Sequence, residues 1–399
     1  MLLTFLLAVT TLVSGWGVVA RNLWSLQYYH VRSGEVRQAE VLTRTPEGHA
    51  RAALWLAMDA LAEGDPERSV FLLEGTAFAQ RSGGQVILGE ALAAQGDLEG
   101  AIRYWSEAGY SDGLLALAQS ARAREEYQLA ATAYKAAWQL DPVAVTSPYT
   151  NFLLNEYQDP DLAIQVLQDT INLPLKTPQR TDWLIVLGDL LREKERLDEA
   201  ERIYLKALEE QPDLIAAHLG LGWVYAADAT RHELAEKAFH RAIAIDPDHA
   251  EANFALGRFS ALQDDLLSAE KWVATAISLD PDNCWWILYL GTLYSEEGDF
   301  VQAITEFERT IACDETWSPG YYEVAWMYAI TDKPERATKA IETAIQLSSL
   351  PNEWYFVRAG RIYEMYDELE KAIQMFSQAL EINPENEPAY WELQRLSVP

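Results

Sequence analysis

The stretch that decides the fold is Thr181–Leu214, which reads TDWLIVLGDLLREKERLDEAERIYLKALEEQPDL. Apolar residues recur three and four positions apart in each half of it. In the first half they are Leu184, Leu187 and Leu191, and in the second half Ile203, Ala207 and Leu208. This spacing predicts two amphipathic helices, and Pro212, which has no N–H to donate, ends the second. One helix hairpin cannot bury its own apolar faces, so the stretch requires similar neighbours.

The following sequence repeats this stretch at intervals of about 34 residues. Five further copies lead from Ile215 to Asn386, and each places small or apolar residues at shared positions. In Thr181–Leu214 itself, these positions hold Leu187, Gly188, Leu191, Ala200, Tyr204, Ala207 and Pro212. The pattern resembles the tetratricopeptide repeat (TPR) family. The resemblance implies an all-α chain, an α-α superhelical solenoid of about ten TPR helix hairpins.

The chain is predicted to have five parts. They are a transmembrane anchor or uncleaved signal at 1–20, a junction or degenerate helical repeat at 21–49, irregular TPR units at 50–180, six regular TPR units at 181–386 and a C-terminal capping helix at 387–399. The unit at 145–180 is the poorest match, because it contains Pro148, Pro160, Pro174 and Pro178. Proline at this density predicts shortened helices and a candidate boundary between two sub-arrays.

The segment Met1–Ala20 contains no charged side chain, and about twenty apolar residues suffice to span a bilayer as a helix. Aromatic residues follow near its end, as at a membrane interface. A cleaved signal peptide is the alternative, but the basic n-region of a signal peptide is missing. A core helix of the repeat array is a third and weaker interpretation. A retained single-pass anchor is therefore favoured.

The side of the membrane follows from the charges near this anchor. No Lys or Arg precedes it, whereas Arg21, Arg32, Arg37 and Arg44 follow it. The positive-inside rule then predicts that the repeats lie in the cytoplasm, with an extracytoplasmic location as the alternative.

Charge and cysteine content exclude several classes of protein. The net charge of −30 argues against a nucleic-acid binder and against a protein held to anionic lipid by charge alone. Two cysteines, Cys284 and Cys313, are too few for a disulfide scaffold or a four-cysteine zinc site. They lie near the two ends of one predicted hairpin. Free thiols are favoured over a disulfide, which would need an oxidising compartment.

No catalytic or cofactor motif stands out. Gly220-Leu221-Gly222 lies inside a helical repeat with no preceding strand, and the six histidines show no ligand spacing. No enzyme activity, cofactor or metal is predicted.

The TPR resemblance implies that the first helices of the hairpins line a concave groove. The family rule for groove positions selects mostly aromatic side chains here. The candidate partner-binding residues are Trp223, Phe254, Arg258, Trp285, Tyr322, Trp326, Trp354 and Arg361. Trp223 and Trp326 are favoured over Trp285 and Trp354, and the alternative is that these aromatic residues pack between repeats. The fifth position of each regular unit is apolar or aromatic, unlike the lysine of the TPR clamp that binds carboxyl-terminal peptides.

These features predict a membrane-tethered scaffold that binds a partner peptide or helix in an aromatic-rich groove, because tryptophan is a favoured binding anchor. An exported envelope protein that binds glycan in the same groove is the alternative. The sequence indicates neither the partner's identity nor the oligomeric state.

Overall fold

The structure is a computed structural model that describes residues 46–174 and 177–397. In these two ranges the chain forms twenty-one α-helices and one short 3₁₀ helix, and it forms no strand. The all-helical fold predicted from the sequence is confirmed. The predicted anchor at 1–20 and the arginines that follow it lie outside the described residues. Among the described helices, none combines the length and the apolar character needed to cross a membrane.

The chain divides into two compact units between Ile203 and Tyr204, and each unit stacks its helices in chain order. The helices of the first unit are α1 Pro46–Ala62, α2 Pro66–Leu73, α3 Ser82–Gln95, α4 Leu98–Ala108, α5 Ser111–Ala123, α6 Tyr127–Leu140, α7 Pro142–Asn155, α8 Pro160–Asn172 and α9 Gln179–Glu193. Helices α1 to α8 pair into four successive hairpins, and α9 packs against α8. The division falls within α10, Leu197–Glu210.

The second unit continues with α11 Ile215–Ala226, α12 His232–Ile245, α13 Ala250–Leu262, α14 Leu266–Leu279, α15 Cys284–Glu297, α16 Phe300–Cys313, α17 Ser318–Ile330, α18 Pro334–Leu347, α19 Glu353–Met365, α20 Leu369–Ile382 and α21 Glu387–Ser397. Helices α11 to α20 pair into five hairpins, and each second helix also packs against the next first helix. The last helix, α21, packs against α20. The 3₁₀ helix Ala229–Arg231 lies in the turn of the first of these hairpins.

Aspartates begin many of the second helices. The Asp265 carboxylate accepts the backbone N–H of Ser268, and the Asp299 carboxylate accepts that of Gln302. These bonds satisfy backbone donors that have no partner inside the helix. The turn before Asp299 uses Gly298 at φ +82°, a left-handed conformation that glycine adopts without strain. Local sequence therefore sets where each hairpin turns.

Small residues allow the two helices of a hairpin to approach closely. A Cβ atom on Gly222 would lie 2.5 Å from the ring of Phe239, and Gly291 stands in the same relation to Phe307. The alanines Ala235 and Ala242 of α12 are completely buried. The repeat motif thus encodes the packing between helices.

The proline-rich unit is more regular than the sequence predicts. Its helices α7 and α8 have 14 and 13 residues, so the expected shortening does not occur. Pro142 and Pro160 occupy the first position of these helices, where no intrahelical N–H bond is lost. Only Pro148 lies inside a helix.

The two cysteines are paired. Cys284 and Cys313 form a disulfide, with their Cα atoms 5.7 Å apart, so the prediction of free thiols was wrong. The physical reason is the antiparallel packing of α15 on α16, because Cys284 is the first residue of α15 and Cys313 the last of α16.

Candidate partner-binding cavity in the second unit

An open cavity of about 720 Å³ lies in the second unit. Three successive first helices, α11, α13 and α15, and the loops that precede the last two contribute its lining. Four of the eight predicted site residues meet in this cavity. They are Trp223, Phe254, Arg258 and Trp285.

Aromatic rings form much of the lining. Phe254 is 6% exposed and stacks on Trp286, with ring centroids 5.1 Å apart and an interplanar angle of 22°. The edge of Tyr289 packs against the same ring at 5.4 Å. Trp285, in contrast, is 52% exposed. The cavity therefore has fixed aromatic side chains and one large aromatic surface open to solvent.

Arg258 lies over the indole ring of Trp223, with its guanidinium carbon 4.8 Å from the ring centroid. Trp223 also contacts the ring of Phe239, which belongs to the core, with ring centroids 5.1 Å apart. Burial raises the pKa of Tyr289, and the positive charge of Arg258 opposes that shift. Arg258 thus lies over the aromatic lining of the cavity and supplies one positive charge to it.

Four carboxylates also line the cavity, at Asp246, Asp248, Glu251 and Asp280. Asp246 and Asp280 directly follow the ends of α12 and α14. The Asp246 carboxylate accepts the backbone N–H of Asp248 at 3.1 Å, which holds this loop in a turn. The arrangement combines an aromatic surface with an acidic edge.

Two side chains fix the starts of the helices that carry the aromatic residues. The Nδ1 atom of His249 accepts the backbone N–H of Ala252 at 3.2 Å, at the start of α13. The Oδ1 atom of Asn283 accepts the N–H of Trp286 at 3.4 Å, at the start of α15. These bonds hold the first turns that bear Glu251 and Trp286.

The other four predicted site residues lie outside this cavity. Tyr322 is held between the Tyr355 ring, 4.5 Å away, and the guanidinium of Arg358, 3.4 Å away. Arg361 forms an ion pair with Glu392 of α21, at 3.6 Å. Trp326 is half-buried against the core. Each of these three side chains is thus in contact with other parts of the second unit.

Trp354 lines a second open cavity of about 610 Å³, next to Trp317 and the loop that precedes α19. It is 49% exposed. The two most exposed of the four predicted tryptophans are therefore Trp285 and Trp354, the pair that the sequence favoured less. The fifth-position residues Leu219, Leu288 and Val357 are at most 8% exposed and pack in the core.

Sequence reasoning missed the acidic residues and Trp286. The sequence does contain a signal for the acidic residues. The same tripeptide, Asp-Pro-Asp, precedes α13 at 246–248 and α15 at 280–282. On the sequence alone, Pro247 and Pro281 predict only the ends of helices. These loops lie beside the aromatic residues of the cavity only because three hairpins stack on one another. The sequence of a single repeat does not contain this information.

Tyrosine–glutamate bonds connect successive hairpins of the second unit. The hydroxyl of Tyr294 donates to Glu270 at 2.6 Å, and Tyr328 donates to Glu308 in the same way. Burial, followed by the hydrogen bond to the glutamate, raises the pKa of both phenols well above the usual range. Each bond therefore joins a neutral phenol to a carboxylate across two hairpins.

Comparison with known proteins agrees with the fold. The sequence profile of the tetratricopeptide repeat family matches residues 158–215 and 224–283, and a second tetratricopeptide repeat profile matches 355–386. The chain therefore contains tetratricopeptide repeats, and its hairpins form an all-helical solenoid of the TPR type. Stacked repeats of this kind present extended surfaces that are used for protein–protein interaction.

Two curated relatives share parts of the chain. The Protein O-mannosyl-transferase Tmtc2 of Drosophila melanogaster is 37% identical over 92 residues, which are 23% of this chain and 10% of the relative. Tetratricopeptide repeat protein 6 of Homo sapiens is 26% identical over 196 residues, 48% of this chain and 36% of the relative. The chain thus spans well under half the length of either.

Solved structures with similar folds include Pseudomonas aeruginosa pilF, which is 21% identical and covers 54% of this chain and 96% of that chain, with a TM-score of 0.46. The type IV pilus biogenesis factor PilW is 18% identical, covers 54% of this chain and 100% of its own, and has a TM-score of 0.48.

Proposed function

We propose that the chain is an interaction scaffold whose second unit binds a segment of a partner protein in the cavity beside Trp285. One observation carries this proposal: residues from three different helices converge on one open site. Tryptophan is enriched among the residues that carry most of the binding energy of protein interfaces. A partner side chain that covers Trp285 would remove a large apolar area from water.

A pair of variants tests this proposal. Trp285→Ala removes the exposed indole of the cavity, and Trp391→Ala removes an equally large surface indole of α21, 64% exposed, that does not line it. Proteins crosslinked to the full chain in cells would be identified for the wild type and both variants. We expect the specific partner to be lost from Trp285→Ala and kept by Trp391→Ala. An identical set for all three proteins, with unchanged circular dichroism, would refute the site.

We further propose that the segment 1–20 tethers this scaffold to a membrane as a single-pass anchor. Its length and lack of charge support this role. Extraction of membranes with carbonate tests it, because an anchored chain stays with the membrane pellet. Release of the full chain into the supernatant would contradict the anchor.

The disulfide favours an oxidising compartment for the repeats, although the positive-inside rule favours the cytoplasm. We therefore propose that the repeats face the extracytoplasmic side. Cys284 and Cys313 are the only two cysteines of the sequence. A polyethylene glycol maleimide added to acid-quenched cells therefore labels these two residues, and only if they are free thiols. We expect labelling only after reduction. Double labelling without reductant would place the repeats in a reducing compartment.

Glycan binding is the second candidate function. The disulfide, which favours export, and the flat exposed ring of Trp285 beside carboxylates support it, since aromatic faces also stack on sugars. Titration of the full chain with envelope oligosaccharides, followed by tryptophan fluorescence, separates the two functions. Saturable binding that Trp285→Ala abolishes would favour the glycan. We propose no reaction for the chain, which we infer to be a non-enzymatic binding protein.

A further inference from the structure

We propose that the occupant of the cavity is a positively charged peptide segment, in which lysine or arginine residues flank an aromatic or apolar side chain. This inference rests on the proposed function and specifies the chemistry of the partner. The aromatic surface described above takes the apolar side chain. The charges that surround this surface indicate which residues flank that side chain in the partner.

The lining of the cavity has an excess of negative charge. Four carboxylates, at Asp246, Asp248, Glu251 and Asp280, stand against the one guanidinium of Arg258. The guanidinium is already stacked over the indole of Trp223. A ligand in the cavity would thus meet a net negative field.

No described residue forms an ion pair with these carboxylates. Within residues 46–174 and 177–397, none of the four has a lysine, arginine or histidine nitrogen within 4.0 Å. The corresponding loop of the preceding repeat differs, because Asp213 there pairs with Arg241 at 2.7 Å. The chain therefore neutralises an equivalent aspartate elsewhere, and leaves the carboxylates of the cavity available to an external cation.

Other occupants fit this surface less well. An acidic peptide, a nucleic-acid phosphate or an anionic lipid would bring like charge to the carboxylates, which costs affinity. A second copy of the chain carries the same net charge of −30 and would be repelled at long range. A basic segment is attracted by both the local and the overall charge, and its lysines can lie beside the tryptophan rings as well.

Three labelled peptides test the inference on the full chain in detergent. They share one central tryptophan and differ only in the flanking charge: GSKKWKKSG, GSQQWQQSG and GSEEWEESG. Fluorescence anisotropy gives the affinity of each. We expect the lysine peptide to bind about tenfold more tightly than the glutamine peptide, and the glutamate peptide not to saturate. The lysine advantage should shrink when the salt concentration rises from about 0.05 to about 0.5 M.

Two double variants with the same change in net charge locate the effect. Asp248→Asn with Glu251→Gln removes two carboxylates of the cavity, and Glu335→Gln with Glu370→Gln removes two exposed carboxylates outside it. We expect the first variant to reduce the advantage of the lysine peptide over the glutamine peptide, since only Asp246 and Asp280 then remain beside Arg258. The second variant should behave as the wild type.

The outcomes separate the two levels of the proposal. Equal affinities for the three peptides, with binding still lost in Trp285→Ala, would overturn the basic partner and leave the cavity as a binding site. Equal effects of the two double variants would also overturn it, because only the overall charge would then act. If no peptide binds in a manner that depends on Trp285, both the basic partner and the peptide-binding function fail.

Discussion

Replacement of Glu90 by glutamine is expected to remove a pH dependence from the stability of the first unit. Glu90 lies in α3 and is 5% exposed. Burial of its carboxyl group raises the pKa from 4.5 to about 8, because a buried charge loses its hydration. Folding around this side chain is therefore easier when the carboxyl group carries a proton.

The sign of the effect follows from the proton counts of the two states. Between pH 4.5 and about 8 the folded chain keeps the Glu90 proton while the unfolded chain loses it. The free energy of unfolding therefore falls as the pH rises through this window, and the full loss is present above about pH 8. At 1.36 kcal/mol per pH unit, the change amounts to roughly 5 kcal/mol at most. Glutamine has no proton to lose, so the Glu90→Gln variant should lack this fall.

Urea unfolding of the full chain at pH 5 and pH 9 measures the difference, with hydrogen exchange of peptides from α3 and α4 as the readout. Glu74→Gln is the matched control, since Glu74 is exposed and belongs to the same unit. We expect Glu90→Gln to be more stable than the wild type at pH 9 by several kcal/mol, and close to it at pH 5. The same difference at both values, or a less stable variant at pH 9, would refute the argument that burial disfavours the charge.

Three further variants test the packing of the second unit. Gly222→Ala places a Cβ atom 2.5 Å from an aromatic ring of α12, and should cost about 1–3 kcal/mol of the free energy of unfolding in urea titrations. Tyr328→Phe removes the hydroxyl that donates to Glu308, and should lower the same quantity by about 1 kcal/mol. Cys313→Ser opens a disulfide of sequence separation 29. Under oxidising conditions it should lower the free energy of unfolding by roughly 3–4 kcal/mol, which is measured as a lower thermal midpoint.

Each of these three predictions has a result that would contradict it. An unchanged urea midpoint for Gly222→Ala would show that the two helices can separate without loss. If Tyr328→Phe is as stable as the wild type, the hydrogen bond to Glu308 contributes no more to stability than the bonds to water that it replaces. The thermal midpoints of Cys313→Ser and the wild type should converge when reductant is present, and a persistent difference would point to packing rather than to the disulfide.

The tetratricopeptide hairpins could be predicted from the sequence because their information is local. Spacings of three and four residues define the helices, and Gly222 and Ala235 mark where two helices touch. The approach of the acidic loops to Trp285 could not be predicted in the same way. Asp248 and Trp285 lie in different repeats, and their proximity depends on how one hairpin stacks on the next.

The sequence by itself determined that this chain is built from helix hairpins and which small residues let them pack. The tertiary structure alone decided which aromatic residues are available to a partner. Trp285 is open to solvent whereas Tyr322 is covered by Arg358, although both occupy predicted groove positions. The physical reason is that exposure depends on the side chains of the neighbouring hairpin, and the repeat motif leaves those free to vary.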